Sequence, residues 1–217
     1  MERRFREILG RPERLVHDDF THRGPGAHRR FSCRLRRRIQ DDLEGVRRLT
    51  DPDLRNDERV RGILDTLGRR SQTLAVAESC TGGGLGASIT TVPGSSDVFV
   101  GGVIAYANSV KIGLLGVSPA ELETRGAVSH DTAAEMAIGV RNATGADWGI
   151  AITGIAGPGG GNADRPVGTV WIGVSGPGQQ SAQCERYLFP GGREEIRSSS
   201  VRAALDLLSR TVGEPDD

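Results

Sequence analysis

Three side chains with reactive oxygen or sulfur atoms follow an apolar segment near the middle of the chain. The segment TLAVA predicts a short buried strand, after which come Ser79, Cys80, Thr81 and three glycines. A serine hydroxyl needs a neighbouring base to become a nucleophile, and a cysteine thiol normally pairs with histidine. Of the 4 histidines, three lie in the first 28 residues and His130 lies at a predicted helix start. Ser79 is therefore the favoured nucleophile, Cys80 is expected to pack as a small apolar residue, and Thr81 is expected to cap the following helix.

The base that this serine requires is predicted to be Lys111. It is the only lysine among 28 basic residues, so arginine has replaced lysine everywhere else. Arginine stays charged at any accessible pH, whereas a buried amine can lose its proton and act as a base. A surface lysine left by chance is the alternative. Tyr106 lies five residues earlier and could share a proton relay with Lys111, or could cover the edge of the core with its hydroxyl in water.

Strands and helices must alternate to bring these residues together. From Asp57 onward the apolar spacing predicts a helix that Gly68 ends, and then an α/β alternation that closes with a helix over 192–212. Ser129 and Asn108 are predicted helix caps. The segment AQCERYLF predicts an edge strand. This order predicts a layered α/β fold with a largely parallel or mixed sheet. The predicted strands are TLAVA, VFVGGVIAY, WGIAITG and VGTVWIGVSG, besides the edge strand.

The carboxyl ends of the predicted strands carry three unusual stretches. These are residues 79–84, residues 106–111 and the glycine-rich segment 153–168. Ligands bind at this edge of open α/β sheets, so the three stretches predict one pocket. Gly82, Gly84 and Ala87 match the dinucleotide fingerprint only weakly, because no acidic residue ends the second strand. Free amides at the helix start would favour a phosphate, a carboxylate or a developing oxyanion; tight turning and close packing are the alternative use of these glycines.

Charge and cysteine content limit the other classes of function. Residues 1–70 hold 19 arginines and 13 acidic residues, although the whole chain has a formal net charge of zero. Residues 1–56 are expected to be a poorly ordered, arginine-rich N-terminal extension, with nucleic-acid binding as the alternative, and residues 214–217 a tail. No membrane segment or secretion signal is evident, which predicts a cytoplasmic protein. Three widely spaced cysteines, Cys33, Cys80 and Cys184, predict reduced thiols and neither a disulfide framework nor a metal site.

Five segments of the chain resemble the C-terminal domain family of the competence/damage-inducible protein CinA, which also occurs as a free-standing nicotinamide-nucleotide amidase. The resemblance covers about residues 57–213 and implies a three-layer α/β/α domain that often dimerises. It also implies hydrolysis of the carboxamide of nicotinamide mononucleotide to nicotinate mononucleotide and ammonia, without a metal or other cofactor. The matching segments are AESCTGG (77–83), GGVIAYANSVKIGLLGV (101–117), GAVSHDTAAEMAIGV (126–140), TGIAGPGGG (153–161) and RPVGTVW (165–171).

This resemblance assigns the serine nucleophile to Ser79, the lysine base to Lys111 and the supporting tyrosine to Tyr106. Backbone donors near Gly82–Gly83 would hold the oxyanion, and the loop 154–161 with Arg165 would hold the ribose phosphate. Arg165 could equally be a solvated loop residue. The full set of expected substrate-binding residues is Thr81, Gly82, Gly83, Thr153, Gly154, Gly157, Gly159, Gly160 and Arg165.

Residues 1–56 do not resemble the larger N-terminal domain of longer CinA proteins, so the activity associated with that domain is not expected. Two other functions stay open. One is a non-catalytic nucleotide-binding module that acts through partners in competence or DNA damage. The other is a nucleic-acid binder that uses the basic extension, for which salt-sensitive binding would be the signature.

Overall fold

The computed structural model describes residues 58–179 and 181–213, which contain five strands and six α-helices. The expected N-terminal extension, Cys33 and the 214–217 tail lie outside the described residues. In chain order the elements are α1 (Glu58–Arg69), β1 (Leu74–Glu78), α2 (Gly84–Thr90), a 3₁₀ turn (Ser95–Asp97), β2 (Phe99–Ile104), α3 (Asn108–Leu115), α4 (Pro119–Thr124), α5 (His130–Thr144), β3 (Trp148–Gly154), β4 (Thr169–Ser175), β5 (Gln183–Leu188) and α6 (Arg193–Gly213).

The five strands form one mixed sheet in the order β2-β1-β3-β4-β5. β1 pairs in parallel with β2 and β3, whereas β4 and β5 join in antiparallel fashion. The predicted α/β class is confirmed, and β5 is the edge strand that its sequence predicted. Because β1, β2 and β3 run in the same direction, their carboxyl ends lie along one edge of the sheet.

Helices cover both faces of the sheet, and alternate residues of each strand face opposite layers. One core contains Leu74, Val76, Ile150 and Ile152 together with the apolar side chains of α1, α2 and α6. The other contains small strand residues such as Ala75 and Ala151, against which α5 packs. Each fully buried leucine or isoleucine contributes about 2 kcal/mol of hydrophobic stabilisation.

The close approach of α5 depends on glycines in the strands beneath it. A Cβ atom at Gly149 would lie 2.2 Å from the main-chain oxygen of Ala137, and one at Gly173 would lie 2.7 Å from that of Ala133. Real side chains cannot occupy such positions, so these two glycines set how closely the helix can approach the sheet.

The helix starts confirm one predicted cap and correct another. The Ser129 hydroxyl accepts a hydrogen bond from the Thr132 amide at 3.1 Å, as predicted for the N-cap of α5. Asn108 is instead the first residue of α3, and Ala107 is its N-cap without a side-chain bond. The chain therefore enters α3 one residue earlier than the sequence predicted. No helix within the two described ranges is both long and apolar enough to cross a bilayer.

Candidate active site

The carboxyl ends of β1 and β2 bring Ser79 and Lys111 into contact. The Nζ atom of Lys111, in the first turn of α3, lies 3.2 Å from Oγ of Ser79. Ser79 follows β1 directly, and its amide donates to the main-chain oxygen of Ile152 at 3.0 Å, which continues the pairing of β1 with β3. The predicted convergence of these two segments is therefore confirmed.

Lys111 is almost completely buried, with 1% of its surface exposed. Its Nζ donates to the main-chain oxygen of Ala105 at 2.6 Å and lies 3.4 Å from that of Tyr106. Within the described residues no carboxylate forms an ion pair with this amine. Because burial removes water from the charged form, the pKa of Lys111 lies below its ordinary value of 10.5. Lys111 is therefore not a surface residue, and the alternative of a surface lysine left by chance is wrong.

Nζ has three oxygen neighbours, which can accept from the three hydrogens of the charged amine and can also all be bonded by the neutral amine. A neutral amine has two hydrogens and one lone pair, and the main-chain oxygens of Ala105 and Tyr106 can only accept hydrogen bonds. Those two oxygens can take both hydrogens, which leaves the lone pair for the hydroxyl proton of Ser79. This arrangement is suited to proton transfer from Ser79 to Lys111.

The glycine-rich turn after Ser79 is bonded within the protein rather than open to a ligand. The Gly82 amide donates to the main-chain oxygen of Ser79 at 3.2 Å. The Gly83 amide donates to Oε2 of Glu78 at 3.0 Å. Both glycines have positive φ angles, 60° and 98°, which glycine adopts without strain. The Gly82 and Gly83 amides thus have internal acceptors, and the prediction that backbone donors near them hold an oxyanion stays a prediction.

Glu78 is the anion at the start of α2. Its carboxyl group is 1% exposed and accepts hydrogen bonds from three amides. The donors are Gly83 and Leu85, at 3.0 and 3.1 Å from Oε2, and Gly86, at 2.9 Å from Oε1. A glutamate directly before the predicted nucleophile was visible in the sequence. Sequence reasoning missed its role because the side chain bonds to amides that lie five, seven and eight residues further along the chain.

Thr81 does not cap α2, contrary to the prediction. The N-cap is Gly83, and no side chain bonds to the helix start from that position. The Thr81 main-chain oxygen accepts from Nη2 of Arg197 at 2.7 Å, but its buried hydroxyl has no hydrogen-bond partner among the described residues. The carboxylate of Glu78 has taken over the capping role.

Cys80 packs into the core as predicted, with 6% of its surface exposed. Burial raises the pKa of its thiol to about 11, so the thiolate is strongly disfavoured near neutral pH. Of the two reactive side chains that are adjacent in sequence, Ser79 is thus the one with a base beside it.

Tyr106 presents its hydroxyl to an arginine rather than to Lys111. The phenol oxygen lies 3.1 Å from Nη2 of Arg193, whose Nη1 donates to the main-chain oxygen of Gly157 at 2.8 Å. Arg193 thereby connects the end of β2 to the glycine-rich loop 154–168. Sequence reasoning missed this arginine because nothing in its local sequence distinguishes it from the many surface arginines. The supporting role of Tyr106 in catalysis stays a prediction.

Two of the expected substrate-binding side chains are bonded to the segment that precedes α5. The Thr153 hydroxyl donates to the Ala127 oxygen at 2.6 Å. Nη1 of Arg165 donates to the Arg125 oxygen at 2.6 Å and lies 3.3 Å from that of Val128. These bonds attach the end of β3 and the glycine-rich loop to the segment that leads into α5. Binding of substrate by Thr153 or Arg165 stays a prediction.

The glycines of this loop have different surroundings. Gly154 ends β3, and the Gly157 oxygen is the one bonded to Arg193. Gly159 is exposed with open space where a Cβ would lie, and Gly160 has a φ of +88°. Contact of these four residues with a substrate stays a prediction.

A separate cleft of about 700 Å³ lies between α1 and the segment that precedes β2. It opens near the amino ends of the strands, at the opposite edge of the sheet from Ser79, and its lining includes Asp65 and Asp97. Within the described residues no three His, Cys, Asp or Glu side chains are grouped so that they could hold a metal ion.

The fold and site define the class of protein as a three-layer α/β/α domain with a buried serine–lysine pair. The family model of the CinA C-terminal domain matches residues 57–212. The chain therefore belongs to the CinA C-terminal domain family, as the sequence predicted.

Relatives and solved structures carry the same family names. The chain is 54% identical over 159 residues to a CinA-like protein from Synechocystis sp., which covers 72% of this chain and 38% of the relative. It is 49% identical over 178 residues to a putative competence-damage inducible protein from Moorella thermoacetica, covering 82% and 41% of the two chains. The chain thus spans about two fifths of the length of the curated relatives it matches.

The solved structure of the competence/damage inducible protein CihA from Agrobacterium tumefaciens superposes with a TM-score of 0.71 and 36% identity, covering 76% of this chain and 98% of that one. A CinA superfamily protein from Enterobacter cloacae superposes with a TM-score of 0.69 and 33% identity, covering 72% and 91%.

Proposed function

We propose that this chain hydrolyses the carboxamide of nicotinamide mononucleotide to nicotinate mononucleotide and ammonia. The observation that carries the proposal is the 3.2 Å contact between the Ser79 hydroxyl and a lysine that is buried without a carboxylate partner among the described residues. Family membership supports the choice of substrate, and the cytoplasmic location stays a prediction from the sequence.

The first half of the reaction forms an ester on Ser79. Neutral Lys111 accepts the hydroxyl proton while the serine oxygen attacks the carboxamide carbon, and the carbonyl electron pair moves onto oxygen. The resulting ammonium form of Lys111 then gives its proton to the amide nitrogen as the carbon–nitrogen bond breaks. Ammonia leaves, and Ser79 carries nicotinate mononucleotide as an ester.

The second half regenerates the enzyme. Lys111, neutral again, accepts a proton from a water molecule that attacks the ester carbon. The carbon–oxygen bond to Ser79 breaks, and the serine oxygen recovers a proton from Lys111. Nicotinate mononucleotide forms as the carboxylic acid and releases its proton to solvent as it leaves. Each half uses the same short path between Oγ and Nζ, so one base serves both steps.

We assign the oxyanion contact to Thr81. Within the turn after Ser79, the Gly82 and Gly83 amides have acceptors, whereas the described residues provide none for the amide or the hydroxyl of Thr81. Donors without an internal partner are available to a charge that develops during the reaction, and one such donor typically changes the rate by about 10²-fold.

We assign the phosphate contact to Arg193. Its guanidinium bonds to both Tyr106 and Gly157, and these belong to two of the three segments that converge at the sheet edge. Arg193 is exposed, whereas Arg165, which the resemblance suggested, is half-buried and its Nη1 lies 2.6 and 3.3 Å from two main-chain oxygens of the segment before α5. An exposed guanidinium at the edge of the site is suited to bind a phosphate through paired hydrogen bonds.

Release of ammonia from nicotinamide mononucleotide by the purified protein tests the proposal. We expect turnover in the wild type and none above background in Ser79→Ala, while calorimetry shows that Ser79→Ala still binds the nucleotide. Binding of the nucleotide without ammonia release by the wild type would contradict the amidase function and favour the non-catalytic nucleotide-binding module.

A further inference from the structure

Glu78 and Ser79 lie at the end of β1 with their side chains on opposite faces of the sheet. The Glu78 carboxylate faces the α2 layer, where it accepts hydrogen bonds from the Gly83, Leu85 and Gly86 amides. The Ser79 hydroxyl faces α3 and Lys111. Three bonds from amides to one buried carboxylate are charge-assisted and strong, so they hold the start of α2 against the end of β1.

The turn that carries Ser79 is closed by this attachment. Its last residue, Gly83, is fixed to the Glu78 side chain, and the Gly82 amide returns to the Ser79 oxygen at 3.2 Å. The residue before the nucleophile and the residues after it are thus bonded to each other. The direction of the Ser79 side chain follows from this closed turn.

The main chain of Glu78 also reaches the other half of the pair. Its carbonyl oxygen accepts from the Ala105 amide at 2.7 Å, and the Ala105 oxygen in turn accepts from Nζ of Lys111 at 2.6 Å. Glu78 therefore bonds through its side chain to the turn of Ser79, and through its main chain to Ala105, the residue whose carbonyl oxygen accepts from Lys111.

We propose that Glu78 is a positioning residue whose carboxylate, as the internal anion at the start of α2, sets the distance between Ser79 and Lys111. The amides that it occupies are closed to anionic groups of a substrate, which leaves Arg193 to bind the phosphate. The inference rests on the proposed amidase function only for its turnover measurement.

The test compares three variants with the wild type in kcat, KM and thermal midpoint. Glu78→Gln keeps the size of the side chain but places an NH₂ group among the amide donors, and Glu78→Ala leaves a space there. Asp147→Ala is the matched control, because Asp147 accepts from the Thr73 amide at 2.7 Å at the opposite end of the same strand.

We expect kcat to fall about 10²-fold in both Glu78 variants with KM nearly unchanged, since small displacements of reacting groups have effects of this size. Asp147→Ala should lower the thermal midpoint and leave kcat unchanged.

Rescue of activity by formate is a second test. A general loss of stability in the variant would not be reversed by formate. Sodium formate, matched against sodium chloride, should raise kcat of Glu78→Ala in a saturable manner by replacing the lost carboxylate. It should not act on Glu78→Gln, in which the space is filled, or on Asp147→Ala. Unchanged kcat in Glu78→Gln, or an equal response of Asp147→Ala to formate, would overturn the inference. If Glu78→Ala does not fold, Glu78→Gln decides alone.

Labelling by a fluorophosphonate separates this inference from the proposed substrate. The Ser79 oxygen displaces fluoride from phosphorus, with its proton passing to Lys111, so the labelling rate reports the same pair without a nucleotide. We expect slower labelling in Glu78→Gln than in the wild type and in Asp147→Ala. Normal labelling of the wild type without ammonia release would contradict the proposed function alone, whereas equal labelling rates in wild type and Glu78→Gln would contradict the positioning role alone.

Discussion

Nζ of Lys111 lies 3.2 Å from Oγ of Ser79, although the two residues are 32 positions apart in the sequence. The contact exists because β1 and β2 are parallel neighbours, so that the residues following each strand emerge at the same edge of the sheet. Both side chains are buried, and the nearest partners of the amine are main-chain oxygens. An amine in such surroundings can exchange a proton with a hydroxyl without first losing an ion-pair partner.

Replacing Lys111 with arginine should reduce kcat about 10³-fold, the range expected for loss of a general base. Arginine keeps the positive charge but cannot become neutral at working pH. Lys111→Arg should therefore be nearly inactive in the ammonia assay while its circular dichroism spectrum matches that of the wild type. Turnover close to the wild-type rate in this variant would exclude Lys111 as the base.

Burial of Lys111 also predicts how stability depends on pH. Because the pKa of this amine is lower in the folded than in the unfolded protein, the unfolded state binds more protons between the folded pKa and 10.5. The contribution of Lys111 to the free energy of unfolding should therefore rise with pH across that window. Urea titrations at several pH values should show this rise in the wild type, and the difference curve against Lys111→Met should isolate it. A difference that is flat with pH would mean that the lysine is not desolvated.

Thr81→Val should make the protein more stable and less active. The buried Thr81 hydroxyl lacks a partner among the described residues, so its removal should raise the free energy of unfolding by about 1 kcal/mol. Loss of an oxyanion donor should at the same time lower kcat about 10²-fold. Thr81→Ser, which keeps the hydroxyl, is the control for activity. Full activity in Thr81→Val would remove its hydroxyl from the proposed mechanism.

Arg193→Gln should raise KM for nicotinamide mononucleotide about tenfold, the effect of losing one charge-assisted hydrogen bond of ~1.5 kcal/mol. KM for nicotinamide riboside, which has no phosphate, should not change. Arg165→Gln should lower the thermal midpoint instead, because its bonds to the Arg125 and Val128 oxygens are lost. A larger increase in KM for the nucleotide in Arg165→Gln than in Arg193→Gln would indicate that Arg165, and not Arg193, binds the phosphate.

The homodimer that the family resemblance implies should bury the apolar surface formed by β2 and α3. Val100, Ile104 and Leu114 are exposed there, and β2 lies at an edge of the sheet. Exposed apolar residues beside an edge strand favour association with another chain. Light scattering should give twice the 23.1 kDa chain mass for the wild type and the single-chain mass for Val100→Asp/Leu114→Asp. Leu188→Asp, at the opposite edge, should remain dimeric; a wild-type mass of 23.1 kDa would contradict the dimer.

Much of the site followed from local sequence because its chemistry depends on rare residue types. A single lysine in an arginine-rich chain and a serine directly after an apolar strand indicated the proposed reactive pair, and the order of strands predicted that the two residues meet. The capping role of Thr81 was predicted incorrectly, because the N-cap of α2 is Gly83. The local sequence showed which groups lie near the start of α2. It could not show that the amides there donate to the Glu78 carboxylate.

Residue order and apolar spacing by themselves determined the α/β class, the edge position of β5 and the side chains that carry the proposed chemistry, because strand and helix periods are local properties. Tertiary structure alone decided the partners: Glu78 with three amides, Arg193 with Tyr106 and Gly157, and Lys111 with two main-chain oxygens. A hydrogen bond depends on distances between atoms whose positions are set by packing of the whole sheet, and no local spacing contains that information.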